Sequence, residues 1–123
     1  IQFFLPGVPQ VYYVGLLAGH NDMDLLARSQ VGRDINRHYY TEAEIAADCA
    51  RPVVQRLIGL IRLRNSHPAF QGDFAVLASD DTVLHLRWSQ GADWAELRID
   101  FTTLAHALSY SAADGGRAAF AFS

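Results

Sequence analysis

One cysteine, Cys49, stands among the 123 residues. No disulfide can therefore close within the chain, and the expected setting is a reducing one, the cytoplasm. Basic blocks are also missing: charged residues make up 19% and the net charge is −3. That removes the electrostatic footprint of a nucleic-acid-binding or anionic-membrane protein. No apolar run is long enough to span a bilayer. The apolar opening Ile1-Gln2-Phe3-Phe4-Leu5 has no basic leader and is interrupted by Pro6 and Pro9, so it reads as neither a signal peptide nor an anchor. Such an opening, without an initial methionine, is expected of a chain cut inside a larger domain. Repeats and low-complexity tracts are absent too. What is present is globular composition, 50% hydrophobic, enough for one ordinary domain or for parts of two.

Order along the chain follows from its punctuation. After Pro6, Gly7 and Pro9, the β-branched and aromatic residues from Val11 to Val14 favour a strand, and being apolar on both faces they suit a buried parallel one. Gly15 to Asn21 reads as a loop. From Asp22 to Arg28, acid at the start and base near the end fit a short helix, which Gly32 is expected to close. Arg33 to Tyr40 carries neither helical nor strand period and reads as an ordered loop. Thr41 and Glu44 have capping-box spacing, so a helix runs from there to about Cys49. Pro52 either kinks that helix or takes the first position of a second one; beyond it the apolar set Val53, Val54, Leu57, Ile58, Leu60, Ile61 and Leu63 recurs at helical spacing until His67-Pro68 ends it.

Beyond Gly72 the period becomes two. Strands are predicted over 74–77, 82–88, 93–101, 104–110 and 117–122, with turns at Ser79-Asp80-Asp81, Gln90-Gly91 and Asp114-Gly115-Gly116. Ala95, Leu97, Ile99 and Phe101 face inward in this reading. The result is an antiparallel meander of four or five strands.

Few residues suggest chemistry. Arg33 offers five fixed donors that stay charged near neutrality and can grip a carboxylate and a hydroxyl together. Taken alone, beside Asp34, it reads first as a surface ion pair. His20, Asp22 and Asp24 lack metal-ligand spacing, and helix capping accounts for them better. His38, Tyr39 and Tyr40 read first as packing anchors, with sugar stacking as the alternative. Cys49, among alanines, reads as a buried inert thiol. Trp88 and Trp94 read as packing residues of the β part.

The run Pro6-Gly7-Val8-Pro9-Gln10-Val11-Tyr12-Tyr13-Val14-Gly15, taken with Gly32-Arg33-Asp34-Ile35-Asn36-Arg37-His38-Tyr39-Tyr40, resembles the sucrose phosphorylases of the α-amylase superfamily. The resemblance is specific from Phe4 to Phe74 and weaker beyond Asp81. It implies an α/β plus all-β fold: the last strand and helix of a TIM (β/α)8 barrel within residues 1–71, then a small antiparallel β domain over 72–123. It implies that Arg33 binds the glucosyl unit in the −1 subsite at the 4-hydroxyl, with an aspartate partner that lies upstream. Arg37 then ties the loop to the barrel rim.

The implied reaction turns sucrose and phosphate into α-glucose 1-phosphate and fructose by double displacement. Its carboxylate nucleophile and general acid stand about 5 Å apart in such enzymes. Their motifs do not occur here, so no residue of this chain is expected to be catalytic, no metal or organic cofactor is implied, and the chain alone is expected to be inactive. Sucrose and inorganic phosphate are the implied partners, and the resemblance leaves room for a homodimer of the complete enzyme. Phosphorylases of glucosylglycerol, glucosylglycerate or sucrose 6′-phosphate are the near alternatives. An amylase-type hydrolase fits less well, because Tyr12-Tyr13-Val14-Gly15-Leu16-Leu17 departs from its usual continuation. A carbohydrate-binding or structural β module is the alternative of another class; its apolar helix and strand would leave a large apolar patch exposed.

Overall fold

A computed structural model describes residues 1–122. The chain divides into two compact units, one formed by Gln10–Leu60, the other by Ile1–Pro9 together with the residues from Ile61 onward.

The first unit is helical. Its helices are α1 (Tyr13–Leu16), α2 (Met23–Ser29), α3 (Glu42–Cys49) and the opening turns of α4 (Pro52–Ser66), with a 3₁₀ turn over Gly32–Asn36. Pro52 takes the first position of α4, as its missing N–H allows. The capping box at α3 is complete: the Glu44 amide donates to Thr41 Oγ1, and the Thr41 amide donates to Glu44 Oε2 at 2.7 Å. Asp22 caps α2 by accepting from the Leu25 amide at 2.8 Å.

Four local expectations for this unit are corrected. Of the strand expected at 11–14, Tyr13 and Val14 instead open a helical turn, and Val11 and Tyr12 lie in no strand. A parallel strand takes its hydrogen bonds from neighbouring strands, and no described residue pairs with this segment. Its backbone closes locally, Leu16 N to Tyr12 O at 2.8 Å and Leu17 N to Tyr13 O at 3.0 Å. Helix α2 is closed not by Gly32 but by Gln30, in the left-handed region at φ 55°; its amide donates to the Leu26 carbonyl at 2.9 Å. Gly32 opens the 3₁₀ turn, so Arg33 to Asn36 is helical where a loop is expected; such short turns have too few residues to show a period. Cys49 is half-buried, not buried.

The second unit is a meander. Strands β1 (Asp73–Val76), β2 (Val83–Gln90), β3 (Asp93–Asp100), β4 (His106–Ser111) and β5 (Arg117–Ala119) pair antiparallel in sequence order. Gln90 pairs with Asp93 across the two-residue turn Gly91-Ala92, with Gly91 at φ 59°, as a hairpin of this length requires. Leu86, Trp88, Ala95, Leu97 and Leu108 form the buried face. Phe4 joins them, its ring edge-on to Phe70 at 5.4 Å and its carbonyl accepting from Trp88 Nε1 at 2.6 Å. The guanidinium of Arg64 lies over the Phe70 and Trp88 rings at 4.7 and 4.9 Å. Gly72 leads into β1 so close to the Ser89 carbonyl that any side chain there would collide with backbone.

Strand ends depart from the pattern. Phe101, expected inward, is 53% exposed, because the ladder stops at the pair Val83 and Asp100. The Asp100 carboxylate then turns the chain by accepting from Thr102 N at 2.8 Å and Thr103 N at 3.1 Å. Leu104, expected to open β4, sits in that turn at φ 59°. Strand β5 ends at Ala119, short of residue 122.

Candidate functional site

Within the helical unit, the loop 19–22, helix α2, His38 and Tyr40, the end of α3 and Arg51 surround an open depression of about 640 Å³. Its wall includes Asp22, Asp24, Arg28, His38, Tyr40 and Arg51. Two of its three carboxylates, Asp22 and Asp48, have a local reason to be where they are. Asp22 is the cap of α2, and Asp48 pairs with Arg51 at 3.1 Å. Arg51 also donates to the carbonyls of Leu17 and Ala18, both at 3.2 Å, which holds the end of α1 against the start of α4. Gly19 adjoins Tyr40 so closely that a β-carbon would overlap the phenol oxygen.

His38 occupies the middle of the polar network. Its Nδ1 lies 2.7 Å from Asp22 Oδ2 and its Nε2 lies 3.2 Å from Glu44 Oε1. Both carboxylates are already committed to helix N-termini, where the exposed amides favour the ionised form. Asp22 is held below the usual carboxylate range, first by the His38 hydrogen bond and then by the Leu25 amide. Glu44 is lowered too, first by the Thr41 amide, then by the Thr41 hydroxyl and His38. His38 is raised in turn, by Asp22 foremost and Glu44 next. A neutral imidazole has one N–H and cannot donate to two acceptors, so two ionised carboxylates select the imidazolium.

The backbone is fastened at the same place. Asp22 N donates to Ile35 O at 2.6 Å, and the Tyr13 phenol donates to His38 O at 3.1 Å. That phenol is pushed up to about 12, first by its hydrogen bond with Tyr12, so it keeps its proton throughout the neutral range. Tyr40 packs edge-on against both His38, at 4.6 Å, and Tyr13, at 6.0 Å.

Arg33 stands in the 3₁₀ turn, two residues before Ile35, and is exposed. Among the described residues its side chain makes no hydrogen bond or ion pair, and Asp34 does not pair with it. Arg37 is half-buried and likewise unpaired among the described residues, so within this unit the segment is fastened through His38 and not through Arg37. His20 and Asp24 reach the depression without meeting each other, while Asp22 caps its helix as the spacing predicts. Tyr40 is a packing anchor; Tyr39, 79% exposed, is not. Trp88 is a core residue, and Trp94 lies between the guanidinium groups of Arg87 and Arg117, each 5.6 Å from its ring. Sequence reasoning missed the role of His38. Asp22 and Glu44 are both readable as caps, but nothing in their spacing says that one imidazole reaches both.

No family profile matches the chain. Individual proteins do. The sucrose phosphorylase of Agrobacterium vitis is 54% identical over 102 residues, which is 83% of this chain and 21% of that protein. The glucosylglycerol phosphorylase of Marinobacter adhaerens is 45% identical over 116 residues, 94% of this chain and 24% of its own length. Among solved structures, the sucrose 6F-phosphate phosphorylase from Thermoanaerobacter thermosaccharolyticum superposes with a TM-score of 0.92 at 41% identity, over 97% of this chain and 24% of that one. The chain thus spans a fifth to a quarter of the length of these relatives.

Proposed function

Because the chain is a homologue of the sucrose phosphorylases and of the phosphorylases of related glucosides, we propose that it is the C-terminal portion of a sucrose phosphorylase. On this reading residues 1–71 complete a (β/α)8 barrel and residues 72–123 form a separate β domain. The complete enzyme, a cytoplasmic one, transfers glucosyl from sucrose to phosphate with retention. Fructose leaves as a carboxylate attacks the anomeric carbon, and phosphate then displaces that carboxylate to give α-glucose 1-phosphate. Both carboxyl groups lie outside this chain, so the chain alone turns over no substrate. No step of this displacement needs a metal or a redox cofactor.

What this chain brings is Arg33. Its exposed, unpaired guanidinium in a fastened turn is free to hold the glucosyl 4-hydroxyl and an upstream aspartate. A charge-assisted hydrogen bond of this kind contributes about 2–4 kcal/mol when its loss leaves a partner uncompensated. The observation that carries the reading is the 54% identity to a sucrose phosphorylase across 83% of the chain. The 45% identity to a glucosylglycerol phosphorylase, spread over a larger share of the chain, favours the second reading, that glycerol replaces fructose in the acceptor site.

The test is a complete enzyme carrying this chain, assayed for glucose 1-phosphate from sucrose, sucrose 6′-phosphate and glucosylglycerol with phosphate. Sucrose is expected to have the highest kcat/KM; a preference for glucosylglycerol would replace the first reading by the second. Arg33→Ala should lower kcat/KM for sucrose by about thirtyfold or more, at about 1.4 kcal/mol per tenfold. Arg33→Lys should recover little, since an ammonium does not reproduce the fork. A change within about threefold would remove Arg33 from the subsite.

A further inference from the structure

The segment that presents Arg33 is fastened at two points. Ile35 O accepts from the Asp22 amide, and His38 is held by its ring on one side and by its carbonyl on the other. Asp22 and Glu44 belong to different helices, and both are acceptors only. The imidazole therefore links the start of α2 to the start of α3 and fixes the chain between them. Arg33 lies within the stretch so fixed but has no side-chain partner of its own among the described residues. The direction of its guanidinium thus depends on the anchors at 35 and 38.

We propose that His38 is a positioning residue for Arg33, acting as a doubly donating clamp between Asp22 and Glu44. The proposal rests on the reading that Arg33 grips the glucosyl unit, and it adds the device that holds that grip in register. Displacing a substrate-holding group by an ångström costs up to about a hundredfold in rate. The clamp works in its protonated form only. The titratable and charged groups around it are Tyr13 from α1, His20 from the loop before α2, Asp22, Asp24 and Arg28 from α2, Tyr39 and Tyr40 beside the ring, and Glu44, Asp48 and Arg51 around α3. Of these, only Asp22 and Glu44 hydrogen-bond the ring.

A double-mutant cycle in the complete enzyme carrying this chain tests the clamp. His38→Ala should lower kcat/KM for sucrose by about tenfold to a hundredfold when Arg33 is present. In an Arg33→Ala background the same change should cost less than about threefold, because there is no grip left to misplace. In Glu44→Gln the imidazolium loses one carboxylate, so the alkaline fall of kcat/KM should begin at lower pH than in the parent.

Two failures are distinct. If Arg33→Ala is damaging but His38→Ala costs as much without Arg33 as with it, the clamp is overturned and the Arg33 reading stands. If Arg33→Ala is harmless, the Arg33 reading fails, and the positioning role falls with it. An alkaline limb unmoved in Glu44→Gln also counts against the clamp.

Discussion

Both compact units bury apolar side chains, Val14, Leu17 and Val54 in the helical one, but their elements are connected differently. In the sheet unit, apolar side chains alternate along strands and bury against one another: Leu86 is 1% exposed, Ala95 0% and Leu108 3%. In the helical unit the connections between short helices are polar, made by Asp22, His38, Glu44 and Arg51. Apolar burial is non-directional and tolerates small shifts, whereas a hydrogen bond fixes atoms to within tenths of an ångström. A β domain needs the first property. A segment that presents the side chain proposed to bind sugar needs the second, and α1 and α2, at 4 and 7 residues, are too short to hold themselves by helix propensity alone.

That contrast can be broken from either side. The largest effect is expected in the sheet unit. Trp88→Ala removes a buried ring and the donor to Phe4 O, and should cost about 3–5 kcal/mol, measured by denaturant unfolding with Trp94 as the remaining fluorescent probe. Trp88→Phe keeps most of the ring but leaves the Phe4 carbonyl unpaired, so about 1–3 kcal/mol is expected. Equal costs for the two would mean that the hydrogen bond, not the packing, dominates there.

A smaller effect is expected in the helical unit. Thr41→Ala deletes one half of the capping box and should cost about 0.5–2 kcal/mol, read as faster hydrogen exchange confined to the first turn of α3. Loss of protection in the β-strands as well would show that the units do not open separately.

The smallest effect is the pH response of the helical unit. His38 is raised above its ordinary value of 6.5, so its contribution is complete at low pH and is lost as pH rises through the raised value. Asp22 and Glu44 are lowered, so theirs is present above their ordinary range and is lost as pH falls through the lowered values. Protection of the amides over 33–38 should therefore be greatest between those limits and weaken on both sides. Among the strands, Asp100 at the end of β3 is lowered by the Thr103 and Thr102 amides, so the turn after it should weaken on the acid side, while the strands should not follow on the alkaline side. His38→Gln should flatten the alkaline side first.

Much of this was legible without coordinates. The capping box at Thr41 and Glu44, the stop at His67-Pro68 and the turn at Gly91 depend on a few adjacent residues, and each stands as read. The alternation in β3 likewise identifies Ala95 and Leu97 as core, because a strand's faces are set by parity alone. The likeness to phosphorylases was legible as well, carried by the strings around Tyr13 and Arg33.

Other features were decided only by tertiary structure. Val11 to Val14 has the composition of a strand, but a strand is a relation between segments, and local closure decided its backbone here. Phe101 and Leu104 continue an apolar pattern past the point where the ladder stops, because the Asp100 turn, not parity, sets the strand's end. The clamp is the clearest case. Asp22, His38 and Glu44 are separated along the chain by 16 and 6 residues. Local rules specify the two helix caps one at a time, but only the packing of those helices brings both carboxylates to opposite edges of one imidazole.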